Sequence, residues 1–397
     1  MKKICIVSDL HLSTNPRVWK EANSLAAAGY AVTILTMWTS AAKRDLDKAF
    51  LHHPALTYKA GLNLIPGEIA PLRRFYYRLR GRLEREAHRL FRTNSPWTLG
   101  YGPDQMTKAA LQEKADLYIA HTEYGIVIGN HLLAKGCNVA FDIEDWYSED
   151  YLVPSRPLTL LKAAERSALT DGVYCTCPSR SMSEALLERY PGSRKAEFIY
   201  NGFSQAETPA FSGTPLQSLI WFSQTIGPGR GLETAMEALK QVQTPMELHL
   251  VGTCVKGYDT TLEAAFPKHN GHRLVIHPAV PHSELAGVIA KHRIGLAVED
   301  CYPGNKDTTV SNKILQYLQA GVQVLATATK GQQEVAGHFP DSVRVVPPDD
   351  PGAWATGIAS LLRSDFDRDA ARRTFAQRFS WEAQEKKLLD LVANALK

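Results

Sequence analysis

The chain has 397 residues, of which 44% are hydrophobic and 22% charged, and its net charge is +4. That length suits two domains of about 100–200 residues each, and the composition is that of a globular protein. The mild charge argues against nucleic acid as the partner, and no apolar run approaches the roughly 18 residues of a membrane span.

The opening MKKICIVSDL has an apolar run too short for a secretory signal, and Asp9 closes it. Cys175 and Cys177 stand two apart, the wrong spacing for a CxxC pair. The expectation is a reducing, cytoplasmic compartment with no structural disulfide.

Short β-branched runs alternate with helical patterns from the start. Lys3–Ser8 reads as a strand. Asn15-Pro16 then opens a helix, because Asn caps well and Pro suits the first helical position. Val18, Ala22 and Leu25 repeat at helical spacing, and Gly29 closes the segment before the strand Ala31–Met37. This βαβ unit implies a parallel sheet. Strands at Asp116–Ala120, Asn138–Ile143, Gly172–Cys177 and Glu197–Ile199 follow. Helices at Gly125–Lys135, Pro157–Thr170 and Ser179–Arg189 lie between them.

Residues 203–218 are polar and aperiodic, with two prolines, and read as a linker. A second series then runs through strands at Leu219–Phe222, Glu247–Val251, Arg273–His277, Ile294–Val298, Val322–Ala326 and Ser342–Val346. Helices intervene at Leu232–Val242, Ser283–Lys291, Asn312–Ala320, Gln333–His338 and Gly352–Leu362, and a last helix covers Trp381–Leu396 with Ser380 as its cap. The expected fold class is α/β: two doubly wound Rossmann-like domains facing a cleft, at 1–204 and 219–375, with 376–397 crossing back to the first.

Pro71–Arg92 stands apart. It holds eight arginines against two glutamates, with leucines and aromatics interleaved. One reading is a basic amphipathic helix pair on anionic lipid; the other is a solvated helical insertion.

Val7–Leu12 contains Asp-x-His, the opening motif of binuclear metallophosphoesterases, and Gly129-Asn130-His131 resembles another of their motifs. The pattern then fails. No Gly-Asp dipeptide occurs, and Leu132 stands where an acid is needed. A two-metal site requires several such ligands to converge.

Two loops carry anion chemistry. Phe222–Glu233 lies between a strand and a helix, and Gly227, Gly229 and Gly231 let a ligand approach its backbone. Arg230 adds a forked cation suited to phosphate. In Glu299–Gly321, a polar loop leads to the helix SNKILQYLQAG. Ser311 or Asn312 caps that helix, and Lys306 and Lys313 flank its start. Free N–H groups, the helix dipole and lysine make an anion site.

Taken with Leu248–Gly252, Val280–Ala290, Ser311–Thr327 and Gly331–Glu334, these segments make the second half resemble the retaining glycosyltransferases of family 4, which have the GT-B fold. Asn15–Val32, Ala115–His121, Phe141–Asp145, Tyr200–Gly202 and Phe379–Glu382 extend the resemblance along nearly the whole chain. It implies transfer of a sugar from a nucleotide-diphosphate donor to a hydroxyl on a glycan or lipid-linked acceptor, with retention.

The resemblance also implies site residues. The donor residues are Thr225, Gly229, Arg230, Glu299, Ser311, Asn312, Lys313 and Gln316. His121, Arg230 and Lys313 serve the chemistry. Asn15, Arg17, Glu123 and Glu144, with Asp145 nearby, face the acceptor. No cofactor is implied beyond the sugar nucleotide as substrate, and no metal is expected. The chain departs from the family at Gln316, where a ribose-binding glutamate is usual, and at Gln224, where many members carry an arginine. An amide keeps one acceptor and its donors but loses charge-assisted strength. These departures favour, as an alternative, a degenerate sugar-nucleotide-binding protein; the Asp-x-His motif leaves, more distantly, a metallophosphoesterase. The cytoplasmic expectation extends to peripheral attachment at the inner membrane face through 71–92.

Overall fold

Both halves of the chain build sheets from short strands buried on two faces, which is why they read as unbroken apolar runs. The computed structural model describes residues 1–151, 156–211 and 213–397. Ser212, inside the segment read as a linker, lies outside the described residues. Two units result: Met1–Ile199 with Glu385–Lys397, and Tyr200–Gln384.

In the first unit the strands are β1 (Lys3–Val7), β2 (Ala31–Trp38), β3 (Leu56–Asn63), β4 (Leu117–His121), β5 (Val139–Asp142), β6 (Cys175–Cys177) and β7 (Glu197–Phe198). They pair in the order β3-β2-β1-β4-β5-β6-β7, parallel throughout. The chain winds one way from β1 and the other way from β4, so the topological switch lies between them. Ligands in such sheets bind beyond the carboxyl ends of the strands at that point. Helix Pro16–Ala27 starts where expected: the Asn15 side chain accepts from Val18 N at 3.3 Å. Val18, Ala22 and Leu25 are fully buried beneath it.

The second unit contains β8 (Leu216–Ile226), β9 (Glu247–Cys254), β10 (Arg273–His277), β11 (His292–Ala297), β12 (Gln323–Thr327) and β13 (Val343–Val346). Their order is β10-β9-β8-β11-β12-β13, again parallel, with the switch between β8 and β11. The start of the expected linker belongs to this unit. Tyr200 Oη donates to Glu334 Oε1 at 2.6 Å, and Gln319 Nε2 donates to Ser204 O at 2.8 Å. Helix Trp381–Ala395 begins here, with Trp381 N bonded to Phe203 O at 3.0 Å. Its end lies in the first unit, where Asn138 Nδ2 donates to Ala395 O at 3.2 Å.

Several local expectations need correction. Residues 71–92 form one 21-residue helix, Pro71–Phe91, not a pair. Gly81 does not break it; the glycine admits Tyr101, whose Cε1 would lie 2.7 Å from a Cβ there. The β3 strand is missed in the sequence because LTYKAGLN sits at the sheet edge with alternate residues half-exposed. Helices Pro103–Glu113, Tyr258–Ala265 and Arg368–Arg378 are missed as well.

Three histidines meet under the second sheet. His249 Nδ1 lies 2.9 Å from His277 Nε2, the His249 and His292 rings are 4.4 Å apart, and His292 Nδ1 lies 2.7 Å from Ser218 Oγ. Burial pushes the His292 imidazole down to about 3, helped by the charges of His249, His277 and Lys291. The unfolded chain would protonate it near its ordinary value of 6.5. Folded stability is therefore expected to fall as pH drops from there toward 3. Urea midpoints measured across that range should decline, and His292→Gln, which keeps a partner for Ser218, should flatten the decline.

Candidate active site

The first unit gathers polar side chains at the carboxyl ends of β1, β4 and β5, on both sides of its switch point. Arg17, the second residue of helix Pro16–Ala27, is buried, as are Asp142 at the end of β5 and His121 at the end of β4. The Arg17 guanidinium grips Asp142 with a fork: Nε bonds Oδ2, and Nη2 donates to Oδ1 at 2.9 Å. Its Nη1 donates to Ile199 O at 2.6 Å, and Thr176 Oγ1 completes Asp142 at 2.8 Å.

His121 is wholly buried. Nδ1 faces Glu144 Oε1 at 2.8 Å and Asp142 Oδ2 at 3.3 Å. Nε2 lies 2.8 Å from Glu21 Oε2, in ion-pair range though out of line for a hydrogen bond. Burial alone would push this imidazole down. The carboxylates of Glu21, Glu144 and Asp142 outweigh it and hold the ring up at about 10. His121 is thus an imidazolium at neutral pH. With its folded value above the ordinary 6.5, its stabilising contribution is full below about 6.5 and is lost as pH rises through about 10. Chemical denaturation between those limits should show the loss, and His121→Gln should remove the slope.

Glu144 is the member of this network that reaches the surface, with its side chain 14% exposed. Asn15 Nδ2 donates to both its oxygens, at 2.9 and 3.1 Å. Asn15, Arg17, His121 and Glu144, each singled out in the sequence, are therefore brought into one cluster. Glu123 is not part of it: this half-buried carboxyl pairs with Arg156 Nε at 2.9 Å. Burial pushes it up to about 7 against the pull of Arg156. Asp145 is half-buried beside Glu144 in sequence.

Glu21, His121 and Asp142 each offer one atom within 4.8 Å of the others, a grouping of metal-ligand type. Arg17 already satisfies both Asp142 oxygens and Glu144 faces Nδ1, so the donor set is that of a closed charge network and does not fit a metal. The phosphoesterase-like residues are also committed elsewhere. His11 Nδ1 meets Asp47 at 2.7 Å and its Nε2 accepts from Thr39 N at 3.2 Å. Thr122 Oγ1 donates to Asp9 at 2.6 Å, and Asn130 Nδ2 donates to Ala164 O at 3.1 Å.

In the second unit the two anion loops leave β8 and β11, the strands at the switch. Thr225, Gly229 and Arg230 are exposed at the end of β8 and in the loop after it. Arg230 Nη1 donates to Ser223 Oγ at 3.1 Å, which steadies the loop but leaves the guanidinium open. Gly229 and Gly231 have φ of 69° and 76°. A Cβ on Gly231 would lie 2.2 Å from Val298 Cγ1. Main-chain carbonyls crowd two further glycines: Ser223 O would lie 2.2 Å from a Cβ on Gly252, and Thr309 O 2.2 Å from one on Gly331.

After β11, Glu299 is fixed by Thr327, whose Oγ1 accepts from Glu299 N at 2.8 Å. Ser311 caps helix Asn312–Gln319 through Lys313 N and donates to Glu299 Oε1 at 3.0 Å. Lys313 Nζ reaches the same oxygen at 2.8 Å. Glu299, Ser311 and Lys313 thus form one group at the helix start. Asn312 is exposed beside them and accepts from Asn201 Nδ2 at 3.1 Å. Gln316, one turn on, is buried, and its amide makes no hydrogen bond among the described residues. Lys306 pairs with Asp300 at 3.1 Å and is not part of the group.

Residues 217–364 match the family model described as Glycosyl transferases group 1. Solved structures share the fold along the chain. Sucrose-phosphate synthase from Thermosynechococcus elongatus is 16% identical over 99% of both chains, with a TM-score of 0.72. HepE of Anabaena in complex with UDP-glucose is 15% identical over 99% of this chain and 100% of its own, at 0.68. The E. coli trehalose-6-phosphate structure bound with UDP-2-fluoro glucose is 10% identical over 100% and 99%, at 0.67. No curated protein sequence matches. The fold is thus two Rossmann-like units of the GT-B kind, and it is in the second that the match to the group 1 glycosyltransferase model lies.

Proposed function

We propose that the protein is a glycosyltransferase that moves a sugar from a nucleoside-diphosphate donor to a hydroxyl acceptor with retention of anomeric configuration. The observation that carries this reading is the group Glu299–Ser311–Lys313 at the start of helix Asn312–Gln319, inside the matched segment and at the switch point of its sheet. The named structures with UDP-glucose and UDP-2-fluoro glucose support a UDP-sugar as the donor.

In this reading the bond between the anomeric carbon and the phosphate oxygen breaks, and negative charge grows on the diphosphate. Arg230, Lys313 and the free N–H groups of the helix start are fixed donors aimed at that charge. Lys313 exchanges Glu299 for a phosphate oxygen as the donor arrives. Thr225, Gly229 and Asn312 line the donor. Gln316 meets the ribose hydroxyls with an amide that can both accept and donate. On the first unit, Glu144 accepts a hydrogen bond from the acceptor hydroxyl, while Asn15 and His121 are positioning residues that fix its carboxylate. Arg17 holds Asp142 and so the imidazolium. The acceptor's proton passes to the departing phosphate oxygen. An imidazolium has no free nitrogen lone pair with which to take a proton, so His121 acts as a cation and not as a base. Glu123 borders the acceptor, which is a glycan or a lipid-linked saccharide.

A second reading, a sugar-nucleotide-binding protein without turnover, draws on Gln316 and Gln224, amides at positions where the family resemblance implies charge. A panel of nucleotide sugars separates the two. Slow release of nucleoside diphosphate from one donor, together with a raised melting temperature for that nucleotide, is the expected result. Binding without release on any acceptor would transfer the case to the second reading, and no nucleotide binding at all would sink both.

A further inference from the structure

Helix Pro71–Phe91 sits on its unit by one edge. Tyr77, Gly81 and His88 are buried, with Tyr77 stacked on Trp97 at 5.9 Å and Arg80 over the same indole at 4.3 Å. The opposite edge carries Leu72, Phe75, Tyr76, Leu79, Leu83 and Leu90, which are 42–84% exposed. At about 100° per residue these six fall within a stripe roughly 100° wide. Scattered surface leucines need no explanation, but an apolar stripe along about five turns of helix, broken by Glu86, does.

Arginines border the stripe on both sides. By the same rotation Arg73 and Arg80 lie on one flank, and Arg78, Arg82 and Arg89 on the other. Glu86, the acid on this face, is neutralised by Arg89 Nη2 at 2.8 Å. Near the helix start, beside Phe75, a cavity of about 360 Å³ is lined by Ile69 and Pro71 with Arg74 and Arg78. The apolar edge therefore continues into a recess fringed by cations.

We infer that this face lies flat in the interface of an anionic membrane, the stripe at the level of the acyl chains and the flanking arginines at the lipid phosphates. Charge decides between a bilayer and a second copy of the chain. Two such faces packed together would set arginine rows against each other, whereas anionic headgroups complement both rows at once. The inference goes beyond the transferase reading, because lipid binding needs neither donor nor acceptor.

Flotation of the full chain with vesicles of phosphatidylcholine alone, or mixed with phosphatidylglycerol, tests it. Binding is expected to the mixed vesicles and not to the neutral ones. Leu79→Ser/Leu83→Ser should weaken it on the order of 100-fold, since two exposed side chains lose their burial in lipid. Arg82→Gln/Arg89→Gln should weaken it about 30-fold. Both pairs are exposed, so melting temperatures should stay near that of the parent, and a nucleotide-dependent rise in melting should persist. Absence of vesicle binding, or equal binding by the Leu79→Ser/Leu83→Ser protein, overturns the inference. A lipid-free dimer that those serines dissolve would assign the face to a second copy, and also overturns it.

Discussion

Lys313→Ala is expected to lower turnover by about 10²–10³-fold, the usual effect of deleting one fixed donor at a developing oxyanion. The substitution does more than remove a cation. Lys313 Nζ holds Glu299 Oε1 at 2.8 Å, so alanine also leaves a carboxylate facing the position where phosphate should bind. Like charges at that range disfavour the donor, and KM should rise with the fall in kcat. A second substitution separates the two effects. Lys313→Ala/Glu299→Gln should recover much of the donor affinity and little of the turnover. Steady-state kinetics with the best donor, and calorimetry with its nucleoside diphosphate, measure each part. Equal kcat in parent and Lys313→Ala would show that this lysine does not stabilise the leaving group.

Arg17→Ala should be the most destabilising single change in the first unit. It strips the fork from Asp142, a buried carboxylate left with Thr176, His121 and no guanidinium. Breaking a buried pair from one side costs roughly 3–5 kcal/mol. For a unit of about 200 residues that is a fall in melting temperature of roughly 6–20 °C. Arg17→Lys should rescue only part of it, because an ammonium cannot make two parallel bonds to one carboxylate. Arg17→Ala/Asp142→Asn should recover more, because no charge is then stranded. Calorimetry on these variants, with Asp142→Asn alone to complete the cycle, reads this as a coupling between the two positions. Additive effects would mean that the fork does not set the local stability.

Much of this was legible in the sequence, and the limits have physical causes. Asn15-Pro16 announces its helix because capping is a local event, and SNKILQYLQAG announces its own for the same reason. The parallel order of both sheets follows from alternation of strand and helix. Arg230 could be picked out because it sits in a recognisable glycine-rich loop, and Gln316 because it lies one turn into a helix with a recognisable start. Asp142 and Glu21 were missed as partners of His121, although both left a trace. Asp142 is a charge at the end of an otherwise apolar strand, and Glu21 stands four residues after Arg17 on a buried helical face. Only tertiary placement reveals that their charges converge on one ring. The protonation of His121 is a property of that convergence and has no local signature. The single helix at 71–91 departs from the helix-pair reading because glycine ordinarily weakens a helix interior, and nothing nearby in sequence signals that Tyr101 needs the space.

The crowded glycines set the terms on which this protein can be altered. Gly252 and Gly331 face main-chain carbonyls, which no compensating side-chain substitution can move aside, and Gly231 faces Val298. The frame of the donor loops is therefore closed to variation at these three points. Thr225 and Asn312 are exposed, and the Gln316 amide is uncommitted among the described residues. A library meant to change donor choice should randomise those positions and keep the glycines, since the freedom to retune this protein lies in side chains at the end of β8 and on helix Asn312–Gln319 and not in the path of the backbone around them.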